Sequence, residues 1–248
     1  MNKNFKRILA YMVDMVIVSI IVYGLTNIKQ INFQLENYKK TYKQYEKTVE
    51  KYQDLEDEYE DAKEDYEDKL IDKKEYQEKK QAYNDYKATY SNKVKKYNYE
   101  LSKNSVISTL ISIAIIIAYF GIFQFSMGGQ TLGKKLMHLK VVKNKEGNLN
   151  ILNYLIRCVI LNGVIANVAL LVCVGIFNAG DFYNANYIIT NAQSVLEIII
   201  LIMIFMTADG RGLHDYLAQT KVIEIDKEGK EVEYIPPTKK REEWCIII

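Results

Sequence analysis

The amino-acid sequence predicts an all-α, polytopic fold: a four-helix transmembrane bundle with a protruding antiparallel coiled-coil hairpin. Three observations predict it. Apolar and charged residues are segregated along the 248-residue chain, so that an apolar share of 49% coexists with a mean hydropathy of -0.15. One central block repeats tyrosine every seven residues. There are only two prolines, as expected of a mostly helical chain, because proline breaks helices.

Four apolar stretches are long enough to cross a bilayer, which takes about 20 residues in a helix. The predicted spans are residues 8–25, 106–125, 151–177 and 187–206. The first is interpreted as an uncleaved signal anchor, because no small-residue cleavage site follows it and further spans do. We therefore divide the chain into a first span in 1–29, a coiled-coil hairpin in 30–104, three further spans with cytoplasmic motifs in 105–226, and a cytoplasmic tail in 227–248.

Lysine and arginine residues predict the orientation, because cytoplasmic segments are enriched in them. They flank the start of the first span, occur throughout the connection between the second and third spans, and follow the fourth. The short connection 178–186 contains neither residue. We therefore expect a multi-pass protein of the cell membrane with both termini in the cytoplasm and the hairpin outside.

Heptad spacing of tyrosine predicts the hairpin. The repeating positions are Tyr38, Tyr45, Tyr52, Tyr59 and Tyr66, then Tyr76, Tyr83, Tyr90 and Tyr97. The register shifts at 70–75, where Asp72 precedes Glu75 with the spacing of a helix-capping box. We interpret the block as two helices folded back on each other. The alternative is one long helix pairing between chains, from which the second span could not easily return to the membrane.

Charges in this block are also segregated. Acidic residues dominate 54–68, and lysines concentrate at the membrane-proximal ends. One interpretation is an acidic tip for a cationic partner or Ca²⁺; the other is a solvated helical face, since no spacing matches a Ca²⁺ loop. The expected partners are the lipid bilayer and a protein at the hairpin. Nucleic acid, a cofactor and a metal are not expected.

Two segments, 127–147 and 207–229, resemble each other. Each begins with glycines, continues through a short amphipathic stretch that contains His138 or His214, and ends in a Lys-Glu-Gly turn. Between these features each has a β-branched run, Lys140-Val-Val in one and Lys221-Val-Ile in the other. We expect the two runs to pair as short strands.

Two carboxylates within predicted spans, Asp14 and Glu197, are the candidate functional residues. A carboxylate inside a membrane is costly unless it is paired, protonated or facing a polar cavity. One hypothesis is that both relay protons or bind a cation, with Asn153, Asn162 and Asn167 completing a polar path. The other is structural, with Asp14 paired to Arg7 or Arg157 and Glu197 near the outer interface. A shared water-accessible cavity would distinguish the first from the second.

Asp215, with His214 and Arg211 nearby, does not predict catalysis. No nucleophile is adjacent and no metal-ligand spacing is present. We expect Asp215 to hold its helix through hydrogen bonds to Arg7 or to backbone, and the protein not to be an enzyme. The C-terminal Cys245-Ile-Ile-Ile248 fits a prenylation pattern, but an atypical terminal residue favours a short apolar tail.

These motifs, taken in order, resemble the RDD family of membrane proteins, named for one arginine and two aspartates. Arg7 and Asp14 match the first two of these residues, and Asp215, in Gly-Leu-His-Asp-Tyr-Leu-Ala-Gln-Thr, matches the second aspartate. The Thr131-Leu-Gly-Lys-Lys-Leu stretch, with Lys140-Val-Val, resembles the middle segment of the family. The long hairpin and the C-terminal tail depart from the family pattern.

The resemblance implies no settled molecular function. It suggests transport of an unidentified small ligand or, by analogy with some relatives, cation/proton exchange. The alternative is a structural or interaction protein whose extracellular hairpin docks a partner.

Overall fold

The structure, a computed structural model, describes residues 2–226 and 228–232. Cys245 and most of the predicted tail lie outside the described residues. The helices are α1 (Lys3–Thr26), α2 (Leu35–Glu67), α3 (Lys73–Asn104), α4 (Val106–Ser126), α5 (Leu132–Leu136), α6 (Ile151–Leu161), α7 (Val164–Ile176), α8 (Ala179–Met206) and α9 (Leu213–Leu217). The strands are β1 (Leu139–Lys143) and β2 (Thr220–Glu224). The predicted all-α class is confirmed.

Three helices are long and apolar enough to cross a membrane: α1, α4 and α8. A fourth span results if the broken pair α6 and α7 counts as one. The sequence predicted a continuous third span, and the structure differs because the helix stops at Asn162 and Gly163. Gly163 has a φ of 63°, a left-handed conformation that glycine adopts without strain. The side chain of Asn162 donates to the Cys158 carbonyl and so satisfies a helix end.

A π-helical segment, Ile117–Phe123, interrupts the α-helical part of α4. Such segments are rare and are frequently found at functional sites. Here the segment buries Tyr119, Phe120 and Gly121. A Cβ atom at Gly121 would lie 2.8 Å from Leu155 on α6, so α4 and α6 approach closely at this point.

The two β-branched runs pair, as the sequence predicted. β1 and β2 are antiparallel, with Lys140 opposite Ile223 and Val141 opposite Val222. Leu139, Val141 and Val222 form a buried core with Ala10 and Tyr154.

Each strand belongs to a repeated unit. A five-residue helix, α5 or α9, leads through one residue with positive φ, His138 at 53° or Gln219 at 55°, into β1 or β2. The similarity of the two sequence segments is therefore also a similarity of conformation.

The helices α2 and α3 pack antiparallel, and the heptad tyrosines meet between them. Ring pairs across the two helices are Tyr45 with Tyr97, Tyr52 with Tyr90, Tyr59 with Tyr83 and Tyr66 with Tyr76. The Tyr83 hydroxyl donates to Glu56 at 2.8 Å. Asp72 caps α3 by accepting from the Glu75 amide at 2.8 Å. Coiled-coil packing of this pair stays a prediction.

The described chain divides into two compact units. The first contains residues up to Ile20, residues Ile115–Asn162 and the chain from Leu196 onward. The second contains Ile21–Ala114 and Gly163–Val195. The strands and the candidate site belong to the first unit, and the α2–α3 pair belongs to the second.

The base of the α2–α3 pair is anchored within the second unit. Tyr99 donates to the Val174 carbonyl at 3.3 Å and its ring lies edge-on to Phe182. Asn32, only 2% exposed, donates to the Thr26 carbonyl and to the Ser108 hydroxyl. The helical pair is thus joined by polar and aromatic contacts to the helix ends beside it.

Candidate functional site

Asp14 is fully buried on α1 and is surrounded by donors. The Tyr119 hydroxyl and the Gly133 amide each donate to Oδ1 at 2.7 Å. The Thr131 hydroxyl donates to Oδ2 at 2.5 Å, and Lys134 Nζ lies 3.8 Å from the same oxygen. Charge-assisted hydrogen bonds of this kind stabilise a buried carboxylate. Hydrogen bonds from α4 and from the first turn of α5 therefore hold the Asp14 side chain in place.

The local sequence explains this arrangement. Thr131 caps α5, so its hydroxyl sits beside the exposed amides of the first helical turn. At position 133 only glycine fits, because a Cβ atom would collide with the Ala10 carbonyl and lie 2.9 Å from the Asp14 carboxylate. The short helix therefore places its first turn directly against α1.

Asp215 is the second fully buried carboxylate, and it joins four parts of the chain. Arg7 of α1 donates to Oδ2 at 2.6 Å, and Arg157 of α6 pairs with Oδ1. The amide of Gly212 and the hydroxyl of Thr220 complete the set at 3.1 and 3.2 Å. Arg7 also donates to the Gly210 carbonyl. The bond between Arg7 and Asp215 is the contact that the sequence led us to expect.

Burial and neighbouring charges shift the pKa values of Asp215 and His214 in this cluster. Burial alone would raise the pKa of Asp215, but the charges of Arg157 and Arg7 outweigh burial and hold the pKa well below its usual range. Burial lowers the pKa of His214 to about 3, against the opposing attraction of Asp215. Asp215 is therefore ionised and His214 neutral at pH 7.

A cavity of about 410 Å³ lies beside both carboxylate clusters. Its polar lining is Arg7, Tyr11, Lys134, Arg157, Glu197 and His214. The remaining lining is apolar: Ile8, Met15, Leu139, Leu161, Ile200, Leu201, Ile204 and Val222. The volume falls within the range of about 300–1,000 Å³ that is typical of small-molecule sites. A mostly apolar wall with a few charged groups is the usual composition of such a site.

The structure separates the two carboxylates of the ion-path hypothesis. Glu197 lines the cavity and is exposed, whereas Asp14 is closed off by its donors and does not line it. Asp14 is also paired differently from the structural alternative. It contacts Lys134, while Arg7 and Arg157 both bind Asp215.

Several residues of these clusters were missed by reasoning from sequence. The stretch Thr131-Leu-Gly-Lys-Lys-Leu does not by itself indicate a role for Thr131 or Lys134, and Tyr119 lies within an apolar span. Burial lowers the pKa of Lys134 to about 8, against the attraction of Asp14. Lys134 stands between Gly133 and Lys135, so its immediate neighbours do not indicate a cation enclosed by the fold. Across residues 2–226 and 228–232, no group of three or more His, Cys, Asp or Glu is placed to hold a metal ion.

Comparison with known protein families finds a match. The RDD family model matches residues 3–219, which include both buried carboxylates, β1 and all the apolar helices. No curated protein and no solved structure gives a match. The chain belongs to the RDD family of membrane proteins.

Proposed function

We propose that this RDD family protein binds a small ligand in the cavity of its first unit and moves it within or across the membrane. It is then a binding or transport protein and not an enzyme. The single observation that carries the proposal is the cavity itself, with its apolar wall and its group of buried cations. The two carboxylates, Asp14 and Asp215, are enclosed by their donors; they fix the wall of this cavity and take no direct part in binding.

The charges favour a ligand other than a metal cation. Arg7, Lys134 and Arg157 line the cavity and, within the described chain, contact only two carboxylates, so the positive charge in excess would repel a cation that entered. Asp14, the carboxylate that a cation/proton exchanger would use, already accepts three hydrogen bonds. Glu197 is the one cavity-lining carboxylate among the described residues.

The first experiment asks whether the cavity is occupied. We would substitute Leu201→Trp, which fills the cavity, and Ile198→Trp as the matched control on the same helix. Leu201 lines the cavity and is 45% exposed; Ile198 is 56% exposed and is not part of the lining. Native mass spectrometry of protein released from its own membrane should show one small bound molecule per chain. That mass should be retained in the control and lost in Leu201→Trp; identical spectra for all three proteins would contradict the proposal.

A second measurement separates ligand handling from cation/proton exchange. In proteoliposomes, an imposed sodium gradient should drive no proton movement through the intact protein. Sodium-driven proton flux that disappears in Glu197→Gln would instead support exchange, with Glu197 as the titrating group. Asp14→Asn serves as the structural comparison, since its effect should appear in protein yield and not in flux.

The proposed orientation follows the distribution of lysine and arginine. Lys140, Lys143 and Lys145 lie between α4 and α6, and Lys3 and Lys6 lie at the start of α1. We place these segments and both termini in the cytoplasm, and the α2–α3 pair outside. This orientation puts the cations of the cavity near the cytoplasmic surface.

A second candidate function is docking of a protein partner by the α2–α3 pair. The observation in its favour is the anchored base, since Tyr99 and Asn32 hold the pair to neighbouring helix ends. Its acidic run at 54–68 would face a cationic partner. If the α2–α3 pair carries the function, deletion of residues 34–103 should abolish function and leave membrane insertion intact. A deletion that leaves function intact would assign the activity to the cavity.

A further inference from the structure

The ligand class can be narrowed from the charges around the cavity, an inference that rests on the proposed function. Three cations line its inner end: the buried Arg7 and Arg157, and Lys134, whose side chain is 12% exposed. Among the described residues, two carboxylates contact these three cations. Asp215 pairs with both arginines, and Asp14 pairs with Lys134. Asp14 is shared further among three uncharged donors. The contacts therefore leave one positive charge in excess at this end.

A buried nitrogen indicates that a polar group is missing at the same end. His214 lines the cavity and is 1% exposed, and its Nδ1 has no hydrogen-bond partner within the described chain. Buried polar atoms without a partner are rare in native structures. Because Nε2 lies 3.4 Å from the Asp215 carboxylate, Nδ1 is the acceptor nitrogen, and a water molecule held by the head of an occupant would donate to it.

One exposed part of the cavity lining belongs to an apolar helix surface. Leu201 both lines the cavity and is 45% exposed, on a helix long and apolar enough to cross a membrane. The neighbouring side chains on that helix, Ile198, Ile202 and Phe205, are all apolar and about half exposed. In a bilayer such a surface faces acyl chains. A ligand that enters here comes from the lipid phase and must have an apolar part.

Glu197 lies at a different depth along the cavity wall from Arg7. The side chain of Asn4 donates to the Ile204 carbonyl, which aligns α1 with the end of α8. Counting from that contact at about 1.5 Å per residue, Glu197 lies about 6 Å further along the helices than Arg7. It lines the wall near Tyr11 and one turn from Leu201. The negative charge of Glu197 repels an anion and so opposes the attraction of that anion to Arg7, Lys134 and Arg157.

We propose that the cavity takes an anionic single-chain amphiphile from the bilayer, with its head against Arg7, Lys134 and Arg157 and its chain leaving past Leu201. The head bears one negative charge, matching the one positive charge in excess, and a fatty-acid carboxylate is the simplest such head. A dianionic phosphate would overcompensate that charge and bind less well.

The test uses the full chain in phosphatidylcholine nanodiscs at pH 7. Binding of radiolabelled laurate is measured against empty discs, with 1-dodecanol, dodecyl phosphate and dodecyltrimethylammonium as probes of the same chain length. Laurate should bind one site per chain. Dodecanol and the ammonium probe should bind at least about tenfold more weakly, because a charge-assisted hydrogen bond at a buried site is worth about this factor. Tighter binding of dodecyl phosphate would identify a phosphate head instead and overturn the carboxylate assignment.

Substitutions of Lys134 and Glu197 should change the affinity for laurate in opposite directions. Lys134→Gln should weaken laurate binding at least about tenfold, and Lys134→Arg, which retains the charge, should restore it. Glu197→Gln should tighten laurate binding, because an opposing negative charge is removed. Leu201→Trp should abolish the saturable site and Ile198→Trp should leave it unchanged.

The outcomes distinguish the two proposals. Dodecanol that binds as tightly as laurate, or Glu197→Gln that weakens laurate, would overturn the anionic class while leaving the cavity as a binding site. If none of the four probes binds saturably to protein that unfolds cooperatively, both the ligand class and the binding function of the cavity fall.

Discussion

Two buried aspartates of this protein have their negative charges compensated in different ways. Asp14 accepts from uncharged donors and lies 3.8 Å from one lysine, whereas Asp215 lies between two arginines. Breaking a buried ion pair from one side leaves an uncompensated charge, which costs more than the pair itself contributes. The sensitivity of each cluster to substitution therefore depends on which charges remain.

Asp215→Asn is expected to destabilise the first unit strongly. The substitution leaves Arg7 and Arg157 buried without a carboxylate, at a cost of about 3–5 kcal/mol in the free energy of unfolding. The matched control is Asp209→Asn, since Asp209 is 48% exposed and lies 3.8 Å from Arg211. Its effect should stay within about 1 kcal/mol. Thermal unfolding by circular dichroism in micelles measures both; equal melting temperatures for the two variants would contradict a structural role for the pair.

Acid is expected to destabilise the same cluster. The pKa of His214 in the folded protein is lowered to about 3, so the unfolded chain takes up a proton first as pH falls below about 6.5. The free energy of unfolding should therefore decrease on acidification through this window, by at most about 1.4 kcal/mol per pH unit. The lowered pKa of Asp215 adds a further loss below about pH 4, in the same direction.

The slope of stability against pH measures this effect. His214→Gln should flatten the slope between about pH 6.5 and pH 4, and exposed His138→Gln should retain the slope of the unsubstituted protein. A slope that is unchanged in His214→Gln would assign the acid sensitivity to other groups.

At the scale of elements, the two helix–strand units depend on close backbone approach. Gly133→Ala is expected to destabilise by about 1–3 kcal/mol, because its Cβ atom would collide with the Ala10 carbonyl and push α5 away from α1. Gly24→Ala is the matched helical control, since nothing lies within 4 Å of the added Cβ atom. That substitution should be neutral or slightly stabilising. Unfolding of the two variants at the same denaturant concentration would disprove the close packing of α5.

The tyrosine contacts give a prediction for the α2–α3 pair. Tyr52 stacks on Tyr90 at 4.1 Å and contacts Tyr83 at 5.7 Å, both on the opposite helix. Since each aromatic pair is worth about 0.5–1.5 kcal/mol, Tyr52→Ala should raise hydrogen exchange throughout α2 and α3. Tyr42→Ala is the control, because Tyr42 is 43% exposed and its ring stacks on Tyr38 of the same helix. Equal exchange in both variants would contradict stabilisation by cross-helix tyrosines.

Hydropathy and periodicity predicted the apolar helices, the pairing of β1 with β2 and the tyrosines that meet between α2 and α3. These features repeat in the sequence, so a local pattern reports them. The π-helical segment in α4 was not predicted, because it coincides with close packing against α6. The break at Gly163 was not predicted, because one Asn-Gly pair within a long apolar run is a weak local signal. The partners of Asp14 were wrongly expected for the same reason. Nothing local indicates that Thr131 and Tyr119, rather than an arginine, reach that carboxylate.

At the scale of the whole molecule, the proposed orientation can be tested by labelling. Leu70→Cys places a thiol at the α2–α3 turn, where the residue is 73% exposed, and Lys145→Cys places one in the exposed loop after β1. In intact cells an impermeant maleimide should label position 70 alone, and permeabilised cells should show both. Unsubstituted protein corrects for the native cysteines. Labelling of position 145 in intact cells would reverse the orientation.

The link between Arg7 and Asp215 joins residues 208 positions apart, whereas Asp14 and Gly133 are 119 apart. A ribosome therefore delivers α1 to the membrane long before either partner exists. Asp14 acquires its donors once α5 has been synthesised, but Arg7 must wait for nearly the last described residues. Until then Arg7 of a newly made chain has no carboxylate partner at the membrane surface, which distinguishes an incomplete chain from a folded one. Chains that terminate before residue 215 should for this reason be preferred substrates of membrane quality-control proteases.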